Sequence, residues 1–149
     1  MIWHAGVYPA SLERHSSSRI FKEMVVGLGT DITEVPRIAR SIERHGERFL
    51  RRIYTPGEIA YCLARQKSAA QSFAARFAAK EAGAKALGTG ISRGIGWQEI
   101  EVVRAPGHAP QLRLSGRAAA WAERLGVTRI SLSLTHTAET ALAVVVMER

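Results

Sequence analysis

The stretch from Ser68 to Leu87 constrains this chain most. It is rich in alanine, has no proline and holds a single glycine, Gly83, so it predicts the longest helix of the sequence. Gly88, Thr89 and Gly90 stop it. Upstream, Met24 to Ile32 reads as a buried strand rich in valine, with Gly27 and Gly29 permitting close backbone approach. A helical stretch follows, with Pro36 near its start, where a missing N–H costs little. Val35, Ile38, Ile42, Phe49 and Ile53 recur there at helical intervals, and Gly46 is expected to break or bend it. Thr55-Pro56-Gly57-Glu58 predicts a third helix, capped by Thr55.

After the long helix, Trp97–Val103 and Gln111–Leu114 read as strands around a turn at Ala105–Pro110. Ser115 is expected to cap a helix closed by Gly126. Arg129–Thr135 and Thr140–Met147 form a final hairpin. The order β-α-α-α-β-β-α-β-β predicts an α+β fold, a small, mostly antiparallel sheet packed against helices. Its functional domain is 24–149, one per protomer. Residues 1–23 carry Ser16-Ser17-Ser18, show no sustained period and lack the features of a secretory signal. They are expected to be a poorly ordered leader or to reflect an upstream start codon.

The longest apolar run, Ala141 to Met147, is seven residues, against roughly 20 for a membrane span. One cysteine, Cys62, rules out an internal disulfide and a multi-cysteine zinc site and fits a reducing, cytoplasmic compartment. Lys plus Arg is 21 and Asp plus Glu is 13, so the net charge is +8 and the partner should carry negative charge. Gly27-Leu28-Gly29 does not extend into a dinucleotide fingerprint, because Ile32 stands at the third glycine position. Neither a P-loop nor H-E-x-x-H occurs.

Four features carry chemistry, each with two readings. Asp31 at a strand end is either a carboxylate on a rigid support or a cap for the next helix. Glu81 and Lys85 are i,i+4 on the alanine-rich helix, either an exposed pair or part of a site. Asp31 and Glu81 together make an oxygen-ligand pair for Mg²⁺, with Arg76, Lys80 and Lys85 adding positive charge to substrate phosphates. His136 alternates onto the apolar side of Ile130-Ser131-Leu132-Ser133-Leu134-Thr135, as a core histidine or a phosphate contact. Arg37, Arg40, Arg44, Arg48 and Arg51 are spaced 3, 4, 4 and 3, one face if the helix persists. That face is either solvated or a docking surface for an acidic partner. A basic nucleic-acid-binding module competes, but only Phe49 accompanies these arginines, and base stacking needs interleaved aromatics.

Three segments in this order resemble the holo-acyl-carrier-protein synthases, small bacterial 4′-phosphopantetheinyl transferases. They are Gly27–Ile32, the central Phe73–Ala86 with Arg76-Phe77-Ala78-Ala79-Lys80-Glu81 and Lys85, and Ser133-Leu134-Thr135-His136-Thr137. The resemblance spans 24–149. It implies transfer of 4′-phosphopantetheine from coenzyme A to a serine of apo-acyl carrier protein in fatty acid biosynthesis, releasing adenosine 3′,5′-bisphosphate. It implies Mg²⁺ on Asp31 and Glu81, with Arg76, Lys80, Lys85 and His136 on the phosphates. Glu81, Lys85 and His136 are then the catalytic set, with Glu81 or a metal-held water as base. It also implies a homotrimer with sites between protomers and carrier docking at Arg37, Arg44, Arg48 and Arg51. A carrier of polyketide type is the alternative substrate.

Overall fold

The structure is a computed structural model that describes residues 24–91 and 94–149. The expected leader, 1–23, lies outside the described residues. The chain runs β1 (Val25–Glu34), α1 (Val35–Ile53), α2 (Pro56–Leu63), α3 (Ala69–Ala86), β2 (Ile100–Val103), β3 (Gln111–Leu114), α4 (Gly116–Leu125), β4 (Arg129–His136) and β5 (Thr140–Glu148). This is the predicted order. Trp97–Glu99, expected to open a strand, instead forms a 3₁₀ turn leading into β2.

α3 is the centre of the molecule. Ala74, Ala78, Ala79, Ala82 and Ala84 are all wholly buried, on every side of the helix, the pattern of a helix enclosed by neighbours. One core forms between α3, α4 and the sheets, around Ile100, Val145 and Met147. A second forms between α1, α2 and α3, around Ile38, Tyr54 and Phe73. Tyr54 is fully buried, and its hydroxyl is satisfied by donating to Phe73 O at 3.0 Å.

The predicted sheet is two sheets, all antiparallel: β1-β5-β4, and the hairpin β2-β3. α3 lies against β1 so closely that only glycine fits. A Cβ on Gly29 would stand 1.9 Å from Ala82 O, and one on Gly27 2.1 Å from Ala86 O. The register puts Gly29, Asp31 and Thr33 of β1 in rows with Val145, Ala143 and Ala141 of β5 and Leu132, Leu134 and His136 of β4. That face meets the helices. The opposite face carries Leu28 and Ile32, which are 66% and 65% exposed. Expectation and structure differ here: β1 is buried on one side only, although it reads apolar throughout.

Local signals set the remaining boundaries. Thr55 caps α2 in a complete capping box, its hydroxyl accepting from Glu58 N while Glu58 Oε2 accepts from Thr55 N. Gly46 takes φ +52° and kinks α1. The arginine face is therefore two segments, Arg37, Arg40 and Arg44 before the kink and Arg48 and Arg51 after it, all exposed. Ser115 does not cap α4 with its side chain. Glu99 Oε1 accepts from Arg117 N at 2.7 Å instead.

Candidate active site

β1 delivers Asp31 to the face packed by α3, and both its oxygens are engaged. Oδ2 accepts from the Thr33 hydroxyl at 2.9 Å, and Oδ1 from Lys85 Nζ at 3.0 Å. Lys85 also donates to Thr30 O at 2.9 Å. The cation four residues beyond Glu81 thus reaches across to the strand and pairs with Asp31. Glu81, half-buried one turn earlier on α3, feels the same strand. Burial and then the Asp31 carboxylate push its carboxyl above the usual range, against the pull of Lys85 and Arg37. Two carboxylates therefore share one small region where their mutual repulsion is felt. Among the described residues no cluster of three or more His, Cys, Asp or Glu offers a closed cage. A pair of carboxylates on adjoining elements suits Mg²⁺, which commonly takes one or two protein carboxylates and completes its shell with water and phosphate oxygens.

A second, basic half lies elsewhere. A cleft of ≈ 320 Å³ is lined by Tyr61, Arg65, Ser72, Arg76, Arg104 and His136 among others. Arg76 is 5% exposed, stacks 3.9 Å over the Tyr61 ring, and leaves its buried Nε without a partner. Arg65 and Arg104 both donate to the Tyr61 hydroxyl. Burial would raise this phenol, but those two hydrogen bonds outweigh it and hold the group below its usual range. Three guanidiniums and an exposed imidazole around one opening make a basic cleft whose charge suits an anion. Arg76 and His136 are brought together as expected, so His136 is a cleft residue and not a core one. Tyr61, Arg65 and Arg104 are additions. Tyr61 and Arg65 are i,i+4 across the end of α2, the only sequence signal that could have tied any of them to a site.

Lys80 is a correction. Expected on the phosphates, it points inward, with both it and Glu58 at 0% side-chain exposure and their charged ends 2.7 Å apart. Its other two protons go to Ile100 O at 2.7 Å and Trp97 O at 3.1 Å. Glu58 Oε1 accepts from Val102 N at 2.9 Å. Burial pulls the Lys80 ammonium below its usual range while Glu58 pulls it back up. The pair ties α2, α3 and β2 together and faces no cleft.

The acidic and basic halves sit on the two edge strands of one sheet. Asp31 is on β1 and His136 on β4, with β5 between them and an offset of two residues along the strands, so their backbones are about 12 Å apart at the usual strand spacing and rise. α3 adds to the division. Arg76 and Glu81 are five residues apart, which turns them about 140° from one another around the helix.

The model of the 4′-phosphopantetheinyl transferase superfamily matches residues 27–145 and so covers every residue of both halves. The chain belongs to the holo-acyl-carrier-protein synthase family of this superfamily. Holo-acyl-carrier-protein synthase of Solibacter usitatus is 54% identical over 125 residues, 84% of this chain and 99% of that protein. The synthase of Koribacter versatilis is 53% identical with the same coverage. Among solved structures, the Neisseria meningitidis synthase superposes with a TM-score of 0.76 at 36% identity, covering 85% of this chain and 100% of that one. The Helicobacter pylori synthase, in complex with coenzyme A, gives 0.70 at 34% identity, covering 80% and 98%. The α+β fold and the transferase class are thus those of its relatives.

Proposed function

We propose that this synthase transfers 4′-phosphopantetheine from coenzyme A to a serine of an acidic apo-acyl carrier protein in fatty acid biosynthesis, acting in the cytoplasm with Mg²⁺ on Asp31 and Glu81. The observation that carries the metal assignment is geometric: Lys85, one turn beyond Glu81 on α3, bonds Asp31 and Thr30 O of β1, which sets the two carboxylates near one another, and burial first and then Asp31 raise Glu81. Asp31 and Glu81 would hold the divalent cation, which would offset their mutual repulsion and supply the positive charge that a diphosphate needs beside carboxylates. The serine oxygen bonds to the phosphorus that bears the pantetheine arm. The bond from that phosphorus to the bridging diphosphate oxygen breaks, and adenosine 3′,5′-bisphosphate leaves. The serine proton passes to Glu81 or to a water at the carboxylate pair. Lys85, half exposed and reaching Asp31, is placed to turn onto a phosphate once a cation takes over that carboxylate. Arg65, Arg76, Arg104 and His136 bind the nucleotide's phosphates and hold the leaving group.

A homotrimer supports this chemistry better than one copy does. The two halves are set apart, with Asp31 and His136 on opposite edge strands and Glu81 and Arg76 about 140° apart around α3, so an acidic half from one protomer and a basic half from the next would complete one site. The uncovered sheet face, with Leu28 and Ile32 beside Leu142 and Val146, is apolar surface of the sort that copies bury. Carrier docking is assigned to Arg37, Arg44, Arg48 and Arg51. Arg37 supports this placement, because its charge acts on Glu81 and it stacks 5.4 Å over Phe77. The docking helix thereby adjoins the carboxylate pair. An acidic carrier accounts for the +8 charge better than nucleic acid does, since Phe49 packs into the second core and Phe77 is held between Arg37 and Trp97, so neither is free for base stacking.

The decisive experiment incubates the protein with coenzyme A, Mg²⁺ and purified apo-carriers, of fatty acid and polyketide type, and reads intact mass. Gain of one phosphopantetheine on a carrier is expected, and no gain on any carrier rejects the function. In the same assay, Asp31→Ala and Arg76→Ala proteins should each be inactive alone, yet regain transfer when co-expressed. Failure to complement would put each site within one protomer. Arg44→Glu should raise the KM for the carrier by about tenfold or more, because it sets a carboxylate against an acidic partner. The KM for coenzyme A should stay unchanged, and an equal rise in both constants would remove Arg44 from the docking surface.

A further inference from the structure

We propose that the buried Thr33 hydroxyl is a positioning group that holds the Asp31 carboxylate in its cation-facing orientation. This rests on the reading of Asp31 and Glu81 as the cation's ligands. Thr33 follows Asp31 by two residues in β1, so both side chains lie on the face packed by α3. Thr33 is 1% exposed, and its Oγ1 donates to Asp31 Oδ2 at 2.9 Å.

Packing alone does not call for threonine here. Valine has the same shape and is at home in a buried strand, whereas a buried hydroxyl is unfavourable unless it is bonded. The bond that satisfies it goes to the one carboxylate on its face. Asp31 has a second donor, Lys85, but the two differ in permanence. Lys85 is a long, 51% exposed side chain, and phosphate binding would draw it away from Oδ1. Thr33 is β-branched and enclosed, so its hydroxyl cannot follow. After Lys85 turns, Thr33 is the one side-chain donor left on Asp31 among the contacts described. It then fixes the rotation of the carboxylate, so that Asp31 keeps one orientation while Lys85 is engaged elsewhere. Outer-sphere partners of this sort usually account for about 10–100-fold in metal affinity.

The test measures binding of Mn²⁺ by electron paramagnetic resonance of the free ion, on the full chain with coenzyme A present and no carrier, so that turnover plays no part. Thr33→Val should weaken Mn²⁺ binding by about tenfold or more, and Thr33→Ser, which keeps the hydroxyl, should restore it. Should Thr33→Val fail to fold, Thr33→Ala against Thr33→Ser makes the same comparison. Wild-type affinity in the variants lacking the hydroxyl overturns the role of Thr33. An Asp31→Asn control separates the two levels. Mn²⁺ binding that survives in Asp31→Asn, or is missing in the wild type, rejects the cation reading itself. Loss in Asp31→Asn with full retention in Thr33→Val rejects Thr33 alone.

Discussion

Glu81→Gln is expected to lose phosphopantetheine transfer by at least about 10²–10³-fold, the scale on which removing a main electrostatic stabiliser acts, while folding at least as well as the wild type. The two effects have opposite signs for one reason. Glu81 is held partly out of water and beside Asp31, so its charged form is disfavoured in the folded protein. Between the ordinary carboxylate value and its raised one, the folded chain keeps a proton that the unfolded chain has released. Its contribution to stability is therefore fully present below the ordinary value and is lost as pH rises through the raised one. Urea midpoints in EDTA should fall with rising pH across that window for the wild type and lie flatter for Glu81→Gln. Asp31→Ala should likewise abolish transfer and keep its fold. Near wild-type turnover in either variant at saturating Mg²⁺ would reject the ligand assignment. A metal-free protein whose stability is equally pH-dependent with and without Glu81 would reject the crowding that motivates it.

Lys80→Met should be the most destabilising single change considered, at roughly 3–5 kcal/mol, because it strips a buried carboxylate of its counter-ion. Glu58 would keep its backbone donors Thr55 N and Val102 N but would carry an uncompensated charge at a side chain with 0% exposure. The double variant Glu58→Gln, Lys80→Met removes that charge and should recover part of the loss. Urea unfolding at fixed protein concentration measures both, since the proposed assembly would make apparent stability depend on concentration. A Lys80→Met protein as stable as the wild type, inactive through loss of coenzyme A binding, would return Lys80 to the phosphate site from which burial excludes it.

These two residues are neighbours in the signature Ala79-Lys80-Glu81-Ala82, and they show where sequence reading stops. A polar stripe on an amphipathic helix says which way each charge points. α3 has none, because alanine lines it on all sides. Lys80 and Glu81, about 100° apart on the helix, therefore read alike in sequence. Only the packing partners separate them, with Glu58 and the Trp97 and Ile100 carbonyls on one side and β1 on the other. The same holds for Lys85, whose sequence partner is Glu81 and whose actual partner is Asp31, 54 residues away. Tyr61, Arg65 and Arg104 meet only because α2 and the end of β2 converge on Arg76.

By itself the sequence determined whatever depends on near neighbours. It set the element order, the capping box at Thr55, the bend at Gly46, the stop after Leu87 and the hairpin turns. Gly27 and Gly29 even announced the close approach of another backbone. Tertiary structure alone decided which side of each element meets solvent, as in the exposed Leu28 and Ile32 of an apolar-reading strand. It alone put the acidic and basic halves on opposite edges of one sheet. The reason is physical: caps, turns and periodicity are energies between residues a few positions apart, whereas burial and ion pairing are energies of contact between residues that only the completed packing brings together.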